Sequence, residues 1–137
     1  MPWIRASSGG RAFSETILWE NPSPGSSVTD LNATLNDNYT NYDYIKLLFR
    51  QSTSRSLDEC IEVMYSKAEF SRMKYGVTPL GSPFFMVAET SNSTSVWLCR
   101  RGYPTSETAI RFFNCFRGNS STSESSLLIP YRVIGLK

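Results

Sequence analysis

The chain has 137 residues, with 14 Lys or Arg, 12 Asp or Glu, a net charge of +2 and no histidine. Without histidine, Ser-His-Asp and Cys-His catalysis and His-ligated zinc are excluded. Hydrophobic residues at 40% and charged residues at 19% exclude a disordered chain, and the length suits one domain that buries about two-thirds of its surface on folding.

Residues 1–10, MPWIRASSGG, read as a tail or linker with Trp3 and Ile4 as anchors. Residues 11–137 read as one β-sandwich domain. RAFSETILWE alternates, placing Phe13, Ile17 and Trp19 on one face, and NPSPGSS ends it with two prolines and a glycine. In VTDLNATL, Leu31, Ala33 and Leu35 share a face. NDNYTN is a turn, and YDYIKLLFRQ follows with Ile45, Leu47 and Phe49 on one side. LDECIEVMYS sets Ile61, Val63 and Tyr65 against Cys60, Glu62 and Met64, as a strand or a short stretch of helix. AEFSRMKYGVTPLGS is mixed, interrupted by Gly76, Pro79 and Gly81. PFFMVAET and TSVWLCRR form a hairpin, RGYPTS is a turn, and ETAIRFFNCFRG is a strand. After the polar loop GNSSTSESS, SLLIPYRVIGLK is a closing strand with a bend at Pro130. About eight short strands between Gly/Pro/Ser/Asn turns predict an all-β, antiparallel β-sandwich or jelly-roll-like domain.

The three cysteines, Cys60, Cys99 and Cys115, are widely spaced in apolar runs and read as reduced core residues. No metal or cofactor motif occurs. The charges are dispersed, with no basic cluster for nucleic acid. The apolar runs are too short to span a membrane, and the start lacks a signal-peptide core. These features give the expectation of a soluble product made in the cytoplasm. N-x-S/T sites at Asn32, Asn38, Asn92 and Asn119 follow from the Asn/Ser/Thr-rich composition.

Two kinds of site chemistry are open to such a chain. Paired carboxylates could cleave a glycan; Glu59 with Glu62, or Asp37 with Asp43, are nominal pairs that read more simply as solvated surface charge. Aromatics near turns, namely Tyr39, Tyr42, Tyr44, Trp97 and Tyr103, stand among Asn, Ser, Thr and Arg residues. Flat rings with hydroxyl, amide and guanidinium donors suit the faces and edges of a sugar. Trp97, Arg100, Arg101 and Tyr103 are the candidate ligand-binding residues, because charge, turn and aromatic coincide at Arg100–Tyr103.

Two stretches carry a resemblance. In LWENPSPGSSVTDLNATLNDNYTNYDYIKLLFR, Leu18-Trp19 precedes a polar turn. A strand from Leu31 to Leu35 and then Asn41-Tyr42-Asp43-Tyr44 lead into Ile45–Phe49. The ending YRVIGLK, with Val133, Ile134, Gly135, Leu136 and Lys137, completes the pair. Together they resemble the C-terminal receptor-binding (tip) domains of bacteriophage tail-fibre-like proteins. The resemblance implies an all-β distal domain, often a homotrimer, on a virion appendage made in the bacterial host. Its partners would be a host-cell surface glycan or protein and other virion proteins, without catalysis, nucleic-acid binding or membrane insertion. It assigns no binding residue, since Leu18, Trp19, Tyr42 and the closing strand read as framework. A structural virion component with no receptor of its own is the alternative, and a two-carboxylate glycan hydrolase ranks below it.

Overall fold

A computed structural model describes residues 13–58, 60–73, 82–91, 94–117 and 123–137, with side chains not described at 82–91, 94–97 and 117. The expected tail at 1–10, Glu59 and most of the polar loop GNSSTSESS lie outside the described residues.

Among the described residues, eight strands form two antiparallel four-stranded sheets, an all-β sandwich as the turn spacing predicts. The strands are β1 (Glu15–Glu20), β2 (Asp30–Thr34), β3 (Tyr44–Ser52), β4 (Cys60–Ser66), β5 (Ser82–Ser91), β6 (Thr94–Ser106), β7 (Ala109–Arg117) and β8 (Leu127–Leu136). The first sheet has the order β1-β8-β3-β4 and the second β2-β7-β6-β5. Among the described residues no helix is long and apolar enough to cross a membrane.

Alternation with period two decides what is buried. On β3, Ile45, Leu47 and Phe49 are fully buried; on β4, Ile61, Val63 and Tyr65 pack against the same core. Ala33 and Leu35 enter from the opposite sheet with Ile110, Phe112 and Cys115. Across the interior the Phe112 ring meets Phe49 edge-on at 6.2 Å and stacks on Trp19 at 5.9 Å. The closing strand lies between β1 and β3, and Leu128, Ile129 and Val133 are buried.

Two local expectations are corrected. On β1, Leu18 is the buried residue while Ile17 is 45% exposed and Phe13 42%. The register with β8 shifts between Ile17 and Trp19, and such an irregularity breaks the alternation that would have grouped Phe13, Ile17 and Trp19. RGYPTS is not a turn: β6 continues to Ser106 and the reversal is at Glu107–Thr108. Pro104 is tolerated there because β5 runs beside β6 only as far as Gly102, so its missing N–H is not needed on that side. The segment after β4 contains a helix, α1 (Lys67–Ser71), begun by a capping box between Ser66 and Glu69. Its Phe70 is fully buried and meets Tyr39 edge-on at 5.1 Å.

The two stretches that carry the resemblance meet in space. Tyr42 lies over Gly135 so closely that a Cβ there would fall 2.5 Å from its ring. The Asp43 amide donates to Leu136 O at 2.8 Å, and the Lys137 ammonium stands 5.3 Å from the Tyr42 ring centre.

Candidate functional site: the outer face of the second sheet

β6 sends consecutive side chains to opposite faces. Leu98 and Arg100 point between the sheets, while Arg101 and Tyr103 point outward. Arg100 is therefore 0% exposed, which corrects its assignment as a ligand-binding residue. Its guanidinium donates from Nε to Leu128 O at 2.9 Å and from Nη1 to Val28 O and Phe113 O at 2.8 Å each. Nη2 donates to Leu127 O. Burial lowers its pKa to about 10, which leaves it a cation at neutral pH. The carbonyl dipoles take the place of water around a charge that cannot be left unsolvated. Leu128 adopts φ 48°, the one positive-φ residue other than glycine among those described, and both it and Leu127 present their carbonyls to Arg100.

The opposite face gathers aromatic and guanidinium groups from β6 and β7 and a carboxylate from β2. A β-bulge opposite Arg101 sets two residues of β7, Phe113 and Asn114, against one of β6, since Arg100 pairs with Cys115 and Gly102 with Phe112. The extra residue lets Phe112 face the core while Phe113 joins the outer face. Tyr103 stacks on Phe113 with ring centres 5.7 Å apart and planes 23° apart. The Arg111 guanidinium lies 4.5 Å from the centre of the Phe113 ring and that of Arg101 lies 5.5 Å from Phe116, both within cation–π range.

Asp30, on β2 opposite Phe113, orients Arg111. The pair is bidentate, with Nε to Oδ1 at 3.0 Å and Nη2 to Oδ2 at 2.7 Å. The side chains remain 37% and 48% exposed. The bonds from Arg111 lower the pKa of Asp30, and the bond to Asp30 raises that of Arg111. Asp30 is thus held as an anion, the reverse of what a general acid at neutral pH requires. The arrangement can stack a flat apolar face and offer donors and acceptors beside it.

Of the four sequence candidates, Arg101 and Tyr103 share this face and Arg100 is interior. Trp97 has its backbone in β6 opposite Ala88, and its side chain lies outside the described residues. Among the other aromatics, Tyr39 and Tyr42 are core residues, and Tyr44 is half-buried with its ring edge-on to Phe13 at 5.4 Å. Sequence reasoning missed Asp30, Arg111, Phe113 and Phe116. Carrying the strand through Pro104 would have set Arg101 and Tyr103 on one face, but the bulge that exposes Phe113 leaves no mark in the sequence.

Two of the nominal carboxylates, Asp37 and Glu62, have framework or ion-pair roles. Asp37 accepts from the Tyr42 hydroxyl at 3.0 Å and from the Asn38 amide at 2.8 Å. Glu62, with Glu15, flanks Lys46 on the outer face of the first sheet, at 3.6 and 3.0 Å. That trio borders a cleft of about 390 Å³ whose apolar wall includes Phe13, Met64 and Leu136. No group of three potential metal ligands comes together among the described residues. Comparison with protein-family models, curated proteins and solved structures finds no match for this chain.

Proposed function

We propose that this chain is a non-enzymatic binding module, the tip domain of a bacteriophage tail-fibre-like appendage. In this reading it attaches a virion to a host-cell surface carbohydrate through the outer face of the second sheet. The observation that carries the reading is the stacked, half-buried Tyr103–Phe113 pair, bordered by Arg101 and by the Arg111–Asp30 ion pair. Stacked rings fit the apolar face of a sugar, and the ion pair offers fixed donors and acceptors to its hydroxyls. The phage assignment itself rests on the sequence resemblance.

Self-association, as a homotrimer, belongs to the same proposal. Of the four large hydrophobic side chains exposed among the described residues, Phe13, Ile17 and Met64 lie on the outer face of the first sheet. Joining copies through that face leaves the carbohydrate-binding faces free, so that weak sites act together. The same apolar face also favours a second reading, a structural virion component that docks another virion protein and binds no receptor.

Binding to bacterial envelopes separates the two. The expected result is retention of the labelled protein on host envelopes. Tyr103→Ala should weaken each site roughly two- to tenfold, the effect of an aromatic contact of about 0.5–1.5 kcal/mol. Wild-type protein that binds no envelope but binds a virion protein would replace the receptor-binding reading with the structural one. Release of reducing sugar from envelope polysaccharide would reinstate the hydrolase.

A further inference from the structure

The aromatic face continues, at the β2 edge, into a polar cleft. The loop NPSPGSSVT, residues 21–29, contains no regular element, yet contacts from elsewhere in the chain fix its course. The buried Asn21 amide donates to Pro130 O at 2.8 Å, and its oxygen accepts from the Ser23 amide at 2.8 Å. Arg50 donates to Pro24 O at 2.9 Å, and Arg100 donates to Val28 O at 2.8 Å. The Val28 amide closes the loop onto Ser125 O at 2.9 Å. Pro22 and Pro24 fix two further φ angles. A loop ordered in advance loses little entropy when it binds.

This loop borders an open cleft of about 250 Å³, lined among others by the exposed residues Ser23, Ser26, Ser27, Thr29 and Asp30. The volume is below the usual range for drug-sized ligands and suits one ring-sized group. Its wall is rich in hydroxyls, each a donor and an acceptor, the pairing that sugar hydroxyls require. Asp30 belongs both to this cleft and to the Arg111 pair. A carboxylate has about four acceptor positions, so two bonds to Arg111 leave Asp30 able to accept from a ligand between the two places.

We propose that the loop cleft is a second sugar subsite, and that the ligand is an extended polysaccharide segment running from the Tyr103–Phe113 platform past Asp30 into the cleft. This inference rests on the carbohydrate-binding reading of that platform. Envelope polysaccharide from a panel of bacteria, partly hydrolysed and separated by length, provides the probe. Each fraction is titrated calorimetrically into the full chain.

Fractions of about four sugars should bind at least about tenfold more tightly than single sugars, because the second contact is intramolecular. Ser27→Trp, which fills the cleft from an exposed position, should abolish this gain, so that long fractions bind no more tightly than single sugars. Tyr103→Ala should weaken both. If Ser27→Trp alters the melting temperature, the milder Ser26→Ala/Ser27→Ala pair is read for the same loss. Equal affinity for short and long fractions, or a length gain that survives both cleft variants, overturns the second subsite while the platform stands. If no fraction binds the wild-type chain, the carbohydrate reading fails and the subsite with it.

Discussion

Arg100 and Arg101 show how completely one step along a strand can change a residue's environment. The first is enclosed by four carbonyl groups, and the second lies against Phe116 on the outer face. Side by side in a sequence they look equivalent. Reading TSVWLCRR as a strand already implied that only one of them could face a ligand, but it left open which one. A lysine cannot reproduce the fan of guanidinium donors, and leucine would remove the Arg100 donor from all four carbonyls. Arg100→Lys and Arg100→Leu should each cost about 3 kcal/mol or more. The cost should be read as a lower denaturation midpoint at unchanged slope. Gly135 is constrained in a different way, by the ring above it. The Tyr42 ring is a core residue whose hydroxyl is held by Asp37, so it cannot retreat from an added methyl group. Gly135→Ala should therefore destabilise by about 1–3 kcal/mol, the usual cost of overpacking, and Tyr42→Ala should relieve the clash in the double variant.

At the scale of elements, the legible parts were those where a single face is buried without interruption. Ile45, Leu47 and Phe49 on β3, and Ile61, Val63 and Tyr65 on β4, declared their inward face by spacing alone. Register irregularities defeated the same logic on β1 and beside Arg100, because a bulge is produced by pairing with a distant strand and has no local signature. The short helix α1 did have one: Ser66-Lys67-Ala68-Glu69 is a capping box, obscured by the glycines and prolines that follow. The turn before β3 carries a pH dependence. The Tyr42 hydroxyl, with the Asn38 amide, holds the Asp37 pKa below its ordinary value. A carboxylate with a lowered folded pKa contributes stability above the ordinary value of about 4 and loses it as the pH falls further. Asp37→Asn should therefore flatten the decline of the urea midpoint between about pH 5 and pH 2. A mutant profile parallel to that of the wild type would show that Asp37 does not contribute to it.

On the scale of the whole molecule, the sandwich presents two unlike outer faces, one aromatic and basic, the other carrying Phe13, Ile17 and Met64. Composition and strand spacing revealed the sandwich. They could not reveal the faces, because Asp30, Tyr103 and Phe113 come from separate strands that only the β2-β7-β6 order brings together. If the apolar face joins copies, light scattering on the purified chain should give the mass of three subunits. Ile17→Asp or Met64→Asp should reduce it to one. A wild-type chain that stays monomeric at high concentration would remove self-association from the proposal.

The central place of β8 has a consequence for how the protein is made. Until residues 127–136 exist, β1 has no partner in the first sheet and β3 can pair only with β4. Ribosomes add about 5–20 residues per second, so the nascent chain spends on the order of ten seconds between the completion of β2 and β3 and that of β8. Completion of the first sheet is then a late event, and until it occurs the second sheet has no finished layer to pack against.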